Sequence, residues 1–142
     1  MSTQKQSDSI ATIRRLHTAM NQHDLDAFVG CFDPDYKSEQ PAHPDRVFTG
    51  DAQVRKNWSA IFGNVPDFKA ELLGLVADGD TVWAEWYWHG KRTDGTAFNM
   101  RGAIIFGTSN GRIASGRLYM EPMEEKGAGI DASVKDLTKP PQ

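Results

Sequence analysis

The sequence predicts an α+β domain in which three N-terminal helices pack on one strongly curved antiparallel sheet. Three observations carry that prediction. Before Pro66, apolar residues recur at helical spacing in three separate stretches. After Pro66 the chain divides into four extended runs. Between the runs stand Asp78-Gly79, Asp94-Gly95 and Asn110-Gly111, pairs that tolerate the positive φ of tight hairpins. Helices first and strands afterwards is the order of an α+β fold. A chain of 142 residues suits a single core, since two cores would leave each half marginal.

The elements follow in order. Residues 1–8 are polar and predict a flexible N-terminus, and the domain is expected over 9–123. From Ser9 to Met20, the residues Ile10, Ile13, Leu16 and Met20 form the stripe of a first helix. Asn21-Gln22-His23 breaks it, and Asp24 can cap a second helix with Leu25, Phe28, Val29 and Phe32 on one face, which Pro34 ends. A short segment from Tyr36 to Gln40 leads into a loop, Pro41 to Gly50. Asp51 can cap a third helix carrying Val54, Trp58, Ile61 and Phe62. The extended runs are Phe68–Val76, Thr81–His89, Ala97–Thr108 and Arg112–Glu121, joined as an antiparallel meander. The segment 124–142 is polar and rich in Gly, Lys and Asp, the composition of a mobile tail.

Composition removes several classes of function. Hydrophobic residues make up 39% and charged residues 25%, an ordinary globular mix. The net charge is −3 with Lys and Arg dispersed, so a nucleic-acid partner, which needs clustered positive charge, is not expected. No apolar run reaches membrane-spanning length and the first residues lack a secretory pattern; no membrane association and a cytoplasmic location are the resulting expectations. Asn57-Trp58-Ser59 matches a glycosylation acceptor and, without a secretory pattern, reads as accidental. Cys31 is the only cysteine, and His17, His23, His43 and His89 show no metal-ligand spacing, so no metal site and no cofactor are expected.

The string His23-Asp24-Leu25-Asp26-Ala27-Phe28, then Cys31-Phe32-Asp33-Pro34-Asp35-Tyr36, a helix opened by Gly50, and Gly111-Arg112-Ile113 opening the last strand together resemble the SnoaL-like and ketosteroid-isomerase-like proteins of the nuclear-transport-factor-2-like superfamily. The likeness covers roughly Ile10 to Met123. It implies a cone-shaped, cystatin-like α+β barrel, a ligand held between the helices and the concave face of the sheet, and a dimer. It also implies which chemistries are missing. Relatives that isomerise steroids use a tyrosine, a base aspartate and a protonated aspartate at the places held here by Leu16, Gln40 and Gly102. Relatives that open epoxides carry a catalytic aspartate within an Arg-Asp-Tyr string that here reads Arg117-Leu118-Tyr119. Losing a positioned general base removes about 10²–10⁴ in rate, so neither activity is expected. The family's polyketide cyclases place an acid late in this strand, where Glu121 is the nearest candidate.

The same correspondence sets strand parity. With position 102 facing inward and alternation every second residue, Met100 and Ile104 also face inward, as do Val82, Ala84, Trp86 and Trp88, and Gly116, Leu118 and Met120. Leu16 and Met20 from the first helix and Trp58 from the third would close over them. The expected cavity is apolar and aromatic, with Gln40 and Ser38 as its polar contacts, and suits a small hydrophobic, cyclic molecule. Trp86 and Trp88 read equally as core filler and as a platform for a ligand. The outward row of Trp83, Glu85, Tyr87, His89, Arg101, Arg117, Tyr119 and Glu121 mixes aromatics with charges, which predicts a homodimer through the outer sheet face.

If the domain is an enzyme, Gln40, His43 and Glu121 are the candidate catalytic residues for lyase, isomerase or cyclase chemistry. Histidine is the side-chain type most used for acid–base work near neutral pH, and His43 also reads as a plain loop histidine. Cys31 reads as buried packing. The rival expectation is a non-catalytic dimeric binding or scaffold module whose pocket is filled by Trp86, Trp88 and Met100. A connected cavity beside Gln40 separates the first reading from the second.

Overall fold

The chain's apolar stripes and turn pairs organise a computed structural model that describes residues 3–141. Helix α1 spans Thr3–Gln22 and buries Ile13, Leu16, Ala19 and Met20 along one side. It starts ahead of Ser9, so helix occupies part of the segment expected to be flexible; Met1 and Ser2 lie outside the described residues. Its first half is fastened to the sheet by Ser9, whose hydroxyl donates to the Gly79 carbonyl at 2.8 Å. His23, at φ 53°, turns the chain, and its Nε2 lies 2.7 Å from the Phe68 carbonyl while its ring stacks on Phe62 at 5.0 Å. Asp24 then caps α2, Leu25–Gly30, accepting from the Ala27 amide at 3.0 Å.

That second helix is shorter than the apolar pattern predicts. Phe32 and Pro34 belong to strand β1, Phe32–Glu39, and not to the helix. The proline is tolerated because the pairing of β1 shifts register between Phe32 and Lys37, so no ladder donor is required at position 34. The Asp33 carboxylate accepts from the Asp35 amide at 2.8 Å and stabilises the bend around it. After a single 3-10 turn, Pro44–Arg46, comes the two-residue strand β2, Phe48–Thr49. Helix α3, Asp51–Asn64, is preceded by Gly50 in the capping position at φ 104°, so Asp51 is its first residue and not its cap.

Four long strands follow: β3, Lys69–Asp78; β4, Thr81–Lys91; β5, Ala97–Ser109; and β6, Arg112–Pro122. They form the expected antiparallel meander. Its hairpins use positive φ at Gly79, Gly95, Asn110 and Gly111, the conformations the turn pairs anticipated. The whole sheet is curved, six-stranded and ordered β2-β1-β6-β5-β4-β3. Two features differ from expectation. The sheet is mixed, because β1 pairs parallel to β6. It is also open, with β2 and β3 as unjoined edges, and therefore not a closed barrel.

Helix α1 lies over β3 and β4, and α3 over β1. The core fills the space between this helical layer and the inner sheet face. Within the tail expected to be mobile, Ile130–Thr138 forms a fourth helix, α4, whose apolar stripe of Ile130, Val134 and Leu137 is exposed. Among the described residues no helix is long and apolar enough to cross a membrane.

Candidate functional site

Alternation along β4 decides which side chains meet the helices. Val82, Ala84, Trp86 and Trp88 are buried, with Trp86 at 0% and Trp88 at 5% exposure, while Trp83 between them is 52% exposed. The parity expected from position 102 therefore holds on this strand. It holds on β6 as well, where Gly116 and Met120 are buried, Leu118 is half-buried, and Arg117, Tyr119 and Glu121 are exposed.

Between the inner face and the helices lies a cavity of about 90 Å³. Helix α1 contributes Leu16 and Met20 to its wall, α2 contributes Phe28, and α3 contributes Val54, Asn57 and Trp58. From the sheet come Phe32, Tyr36 and Ser38 of β1, Phe48 of β2, Trp86 and Trp88 of β4, Ile104 and Phe106 of β5, and Leu118 of β6. Gln40 completes the wall just past β1. A more open surface depression, lined also by Asp45, Arg46, Val47 and Gln53, shares Gln40, Phe48 and Asn57 with the cavity. The two therefore border each other at these three residues.

The aromatic side of the cavity is built from interlocked rings. Trp58 packs on Phe28 at 4.5 Å between centroids and meets Trp88 edge-on at 5.3 Å. Trp86 and Trp88, two residues apart on β4, lie 6.3 Å apart. Each such pair adds about 0.5–1.5 kcal/mol to its burial, so these rings are held in place before any ligand arrives. Neither the Trp86 nor the Trp88 indole N–H has an acceptor among the described protein atoms, although both are buried.

The other polar groups are few and uncharged. The Tyr36 hydroxyl stands over Gly116, where an added Cβ would meet it at 2.6 Å, so the glycine makes room for the phenol. Burial pushes the Tyr36 pKa up, and a hydrogen bond with Ser38 partly offsets this. The phenol is accordingly a proton-bearing donor near neutral pH. Gln40 Oε1 accepts from Arg46 Nη1 at 2.9 Å, which leaves the Gln40 amide N–H₂ as its free donor. Asn57 Oδ1 accepts from Gln53 Nε2 at 2.8 Å. No Asp, Glu, His, Lys or Arg is among the lining residues.

The candidate residues fall into three places. Leu16, Met20, Ser38, Gln40, Trp58, Trp86, Trp88 and Leu118 come together on the cavity wall. Met120 is buried in the core and Met100 is half-buried beside it, and both stand outside the wall. His43 and Glu121 are brought to each other, Nε2 to Oε1 at 2.5 Å, but at the surface, where the two side chains are 38% and 50% exposed. Their pairing ties the 40–47 loop to the end of β6 and lies outside the cavity wall. Among the described residues no cluster of His, Cys, Asp or Glu could hold a metal ion.

Two further wall residues carry a readable signal in the sequence. Asn57 stands three residues after Val54 and beside Trp58, on the same helical face. Phe106 continues the alternation from Ile104. Tyr36 and Phe48 had none, because the short strands that aim them depend on non-local pairing.

The model of the SnoaL-like domain family matches residues 13–116. No curated protein sequence matches the chain. Among solved structures, the chain is similar to an LEH-like epoxide hydrolase of M. tuberculosis, with 18% identity, coverage of 82% of this chain and 84% of that one, and a TM-score of 0.70. It is also similar to a protein of Jannaschia sp. CCS1 provisionally named a SnoaL-like polyketide cyclase, with 15% identity, 99% of both chains covered and a TM-score of 0.72. A third similar structure, from Catenulispora acidiphila DSM 44928, has a ketosteroid isomerase-like fold and was solved with trimethylamine; identity is 18%, coverage 75% and 82%, and the TM-score 0.64. At such identities these likenesses establish the fold.

Proposed function

The chain belongs to the SnoaL-like domain family, and we propose on that footing that it binds one small, uncharged, largely apolar molecule of about one ring in the cavity beneath Gln40. What supports the reading is the cavity itself: bordering a surface depression at Gln40, walled by packed aromatic rings, and without one carboxylate, imidazole, amine or guanidinium in its lining. Its size sets the scale of the occupant. Sites for drug-sized ligands enclose about 300–1,000 Å³, whereas a cavity of about 150 Å³ already accepts benzene. At about 90 Å³ this cavity is smaller than either, so its occupant is no larger than a single ring.

Binding is favoured over proton-transfer catalysis for a chemical reason. A general acid or base must reach the reacting atom, and the paired His43 and Glu121 stand outside the wall. The rival scaffold reading requires a pocket filled by its own side chains, and Met100, one of the three proposed to fill it, is not among the lining residues. The outer sheet face, with Trp83, Tyr119 and Arg117 exposed, is proposed as the contact between two copies of the chain.

The test is a titration of the labelled protein with benzene and with cyclohexane, followed through the indole N–H resonances of its four tryptophans. The Trp58, Trp86 and Trp88 signals should move saturably while that of Trp83, on the opposite face, stays still. No saturable movement, or movement of Trp83 alone, would overturn the reading.

A further inference from the structure

We propose that α4 of one copy of the chain lies in a groove on the outer sheet face of a second copy, with the same contact made in return. This rests on the reading of the outer face as the contact between two copies and names the element that fills it. Helix α4 is nine residues long, buries none of its side chains and has no side-chain hydrogen bond at its N-cap, Gly129. Helices shorter than about 12–15 residues are marginal in water on their own, so a helix of this length draws its stability from packing. Its packing surface is the stripe of Ile130, Val134 and Leu137, which are 77%, 47% and 83% exposed in the subunit.

The sheet offers a matching surface. Gly74, Glu85 and Ala103 stand side by side across β3, β4 and β5. In the next row Val76, Trp83 and Ile105 lead to Arg117, and on the other side Glu71 and Tyr87 lead through Arg101 to Glu121. A groove of about 510 Å³ is lined by Gly74, Val76, Trp83, Glu85 and Ala103 among others, with Val76 63% and Trp83 52% exposed. Charge matches as well as apolarity. Glu71 pairs with His89 and Glu121 with His43, which leaves Arg101, Arg117 and Glu85 of these rows without an ion-pair partner among the described residues. Helix α4 carries the opposite set, Asp131, Asp136 and Lys135. Asp136 also meets Lys139 at 3.7 Å, an exposed pair that contributes little. With about 3.6 residues per turn, the two aspartates fall on opposite sides of the apolar stripe, as the two arginines fall on opposite sides of the Gly74–Glu85–Ala103 row. These features select a second copy as the occupant, since every chain carries both halves of the contact and a two-fold exchange leaves neither half open. A membrane surface suits α4 less well, because the helix has no excess of basic residues.

The experiment follows the full chain and its Ile130→Gln/Leu137→Gln variant by sedimentation velocity over a concentration series and by the Trp83 indole N–H resonance. Glutamine keeps the helix propensity of leucine while removing its apolarity, and both positions are exposed in the subunit. The variant should keep the melting temperature of the dilute wild type and self-associate about ten-fold more weakly. In dilute labelled variant, the Trp83 resonance should move when unlabelled wild-type chain is added and stay still when unlabelled variant is added. Self-association of the variant equal to that of the wild type overturns this inference and leaves the outer-face contact standing. A Trp83 difference between variant and wild type that does not depend on concentration places the helix on its own sheet and also overturns it. Absence of self-association in the wild type removes the outer-face contact and this inference together. Binding of phosphatidylserine vesicles by the wild type and not by the variant, with Trp83 unmoved by added chain, assigns the stripe to a membrane and overturns the inference.

Discussion

Replacing Gly102 by alanine should be among the most damaging single-methyl changes in the molecule. Gly102 sits in the middle of β5 at φ 155°, opposite Met120 of β6. A Cβ built there would lie 2.0 Å from the Tyr119 carbonyl oxygen, 2.8 Å from its carbon and 2.9 Å from the Met120 Cα. All three atoms are backbone, so no rotamer change relieves the contact. The unfavourable φ costs about 1–3 kcal/mol for a residue with a side chain. Separating the strands enough to clear the methyl weakens neighbouring ladder hydrogen bonds, each worth about 1 kcal/mol net. The sum is about 3–5 kcal/mol, which with an m-value of about 2 kcal/mol/M lowers the urea midpoint by about 2 M. Gly107→Ala on the same strand is the control, since its Cβ would meet only the rotatable Ser115 hydroxyl at 2.4 Å and its φ is not positive. That variant should lose less than about 1 kcal/mol. A Gly102→Ala loss no larger than the control, at unchanged m-value, would refute the reasoning. The position that the sequence resemblance matches to the protonated aspartate of steroid-isomerising relatives is thus crowded against backbone on the neighbouring strand.

Two further outcomes are expected. Arg117→Glu, an exposed change on the outer face beside Ile105, should leave the melting temperature of the subunit nearly unchanged but weaken self-association about ten-fold or more, as read by sedimentation velocity across a concentration series; an unaltered profile would count against the proposed contact face. Tyr36 predicts the alkaline limit of stability. Because burial raises its pKa in the folded state, the stabilisation it supplies is complete below the unfolded value, about 10, and declines as pH rises through the higher folded value. Tyr36→Phe should therefore flatten the loss of stability between about pH 9 and 11, measured by urea denaturation, with Cys31, also raised by burial, common to both proteins.

The meander was legible because its signals are local. Each hairpin announces itself by residues at positive φ, and period-two alternation of large and charged side chains set the faces of β4 and β6. The six-residue length of α2 was not legible, since Phe32 continues the helical spacing and Pro34 reads as a stop; only the parallel pairing with β6, some eighty residues later in the chain, draws Phe32 into a strand. The same limit explains Tyr36 and Phe48, cavity residues on short strands whose existence depends on distant partners. Residue chemistry groups Gln40, His43 and Glu121 but does not contain direction: Gln40 meets the cavity, while the histidine and glutamate meet each other outside it.

The absence of carboxylate, imidazole, amine and guanidinium groups from the wall is a property of the whole site and not of one substitution. Leu16, Gln40 and Leu118, which the sequence resemblance matches to a tyrosine and two aspartates of relatives, all reach the cavity. Restoring a single carboxylate at position 118 would place it among aromatic rings with no lining cation to hold its charge, so desolvation would raise its pKa and keep it protonated near neutral pH. It would then be neither nucleophile nor base. Base chemistry in such a chamber needs a counter-charge introduced together with the carboxylate, whereas holding a neutral ring by apolar contact needs only the groups already in place.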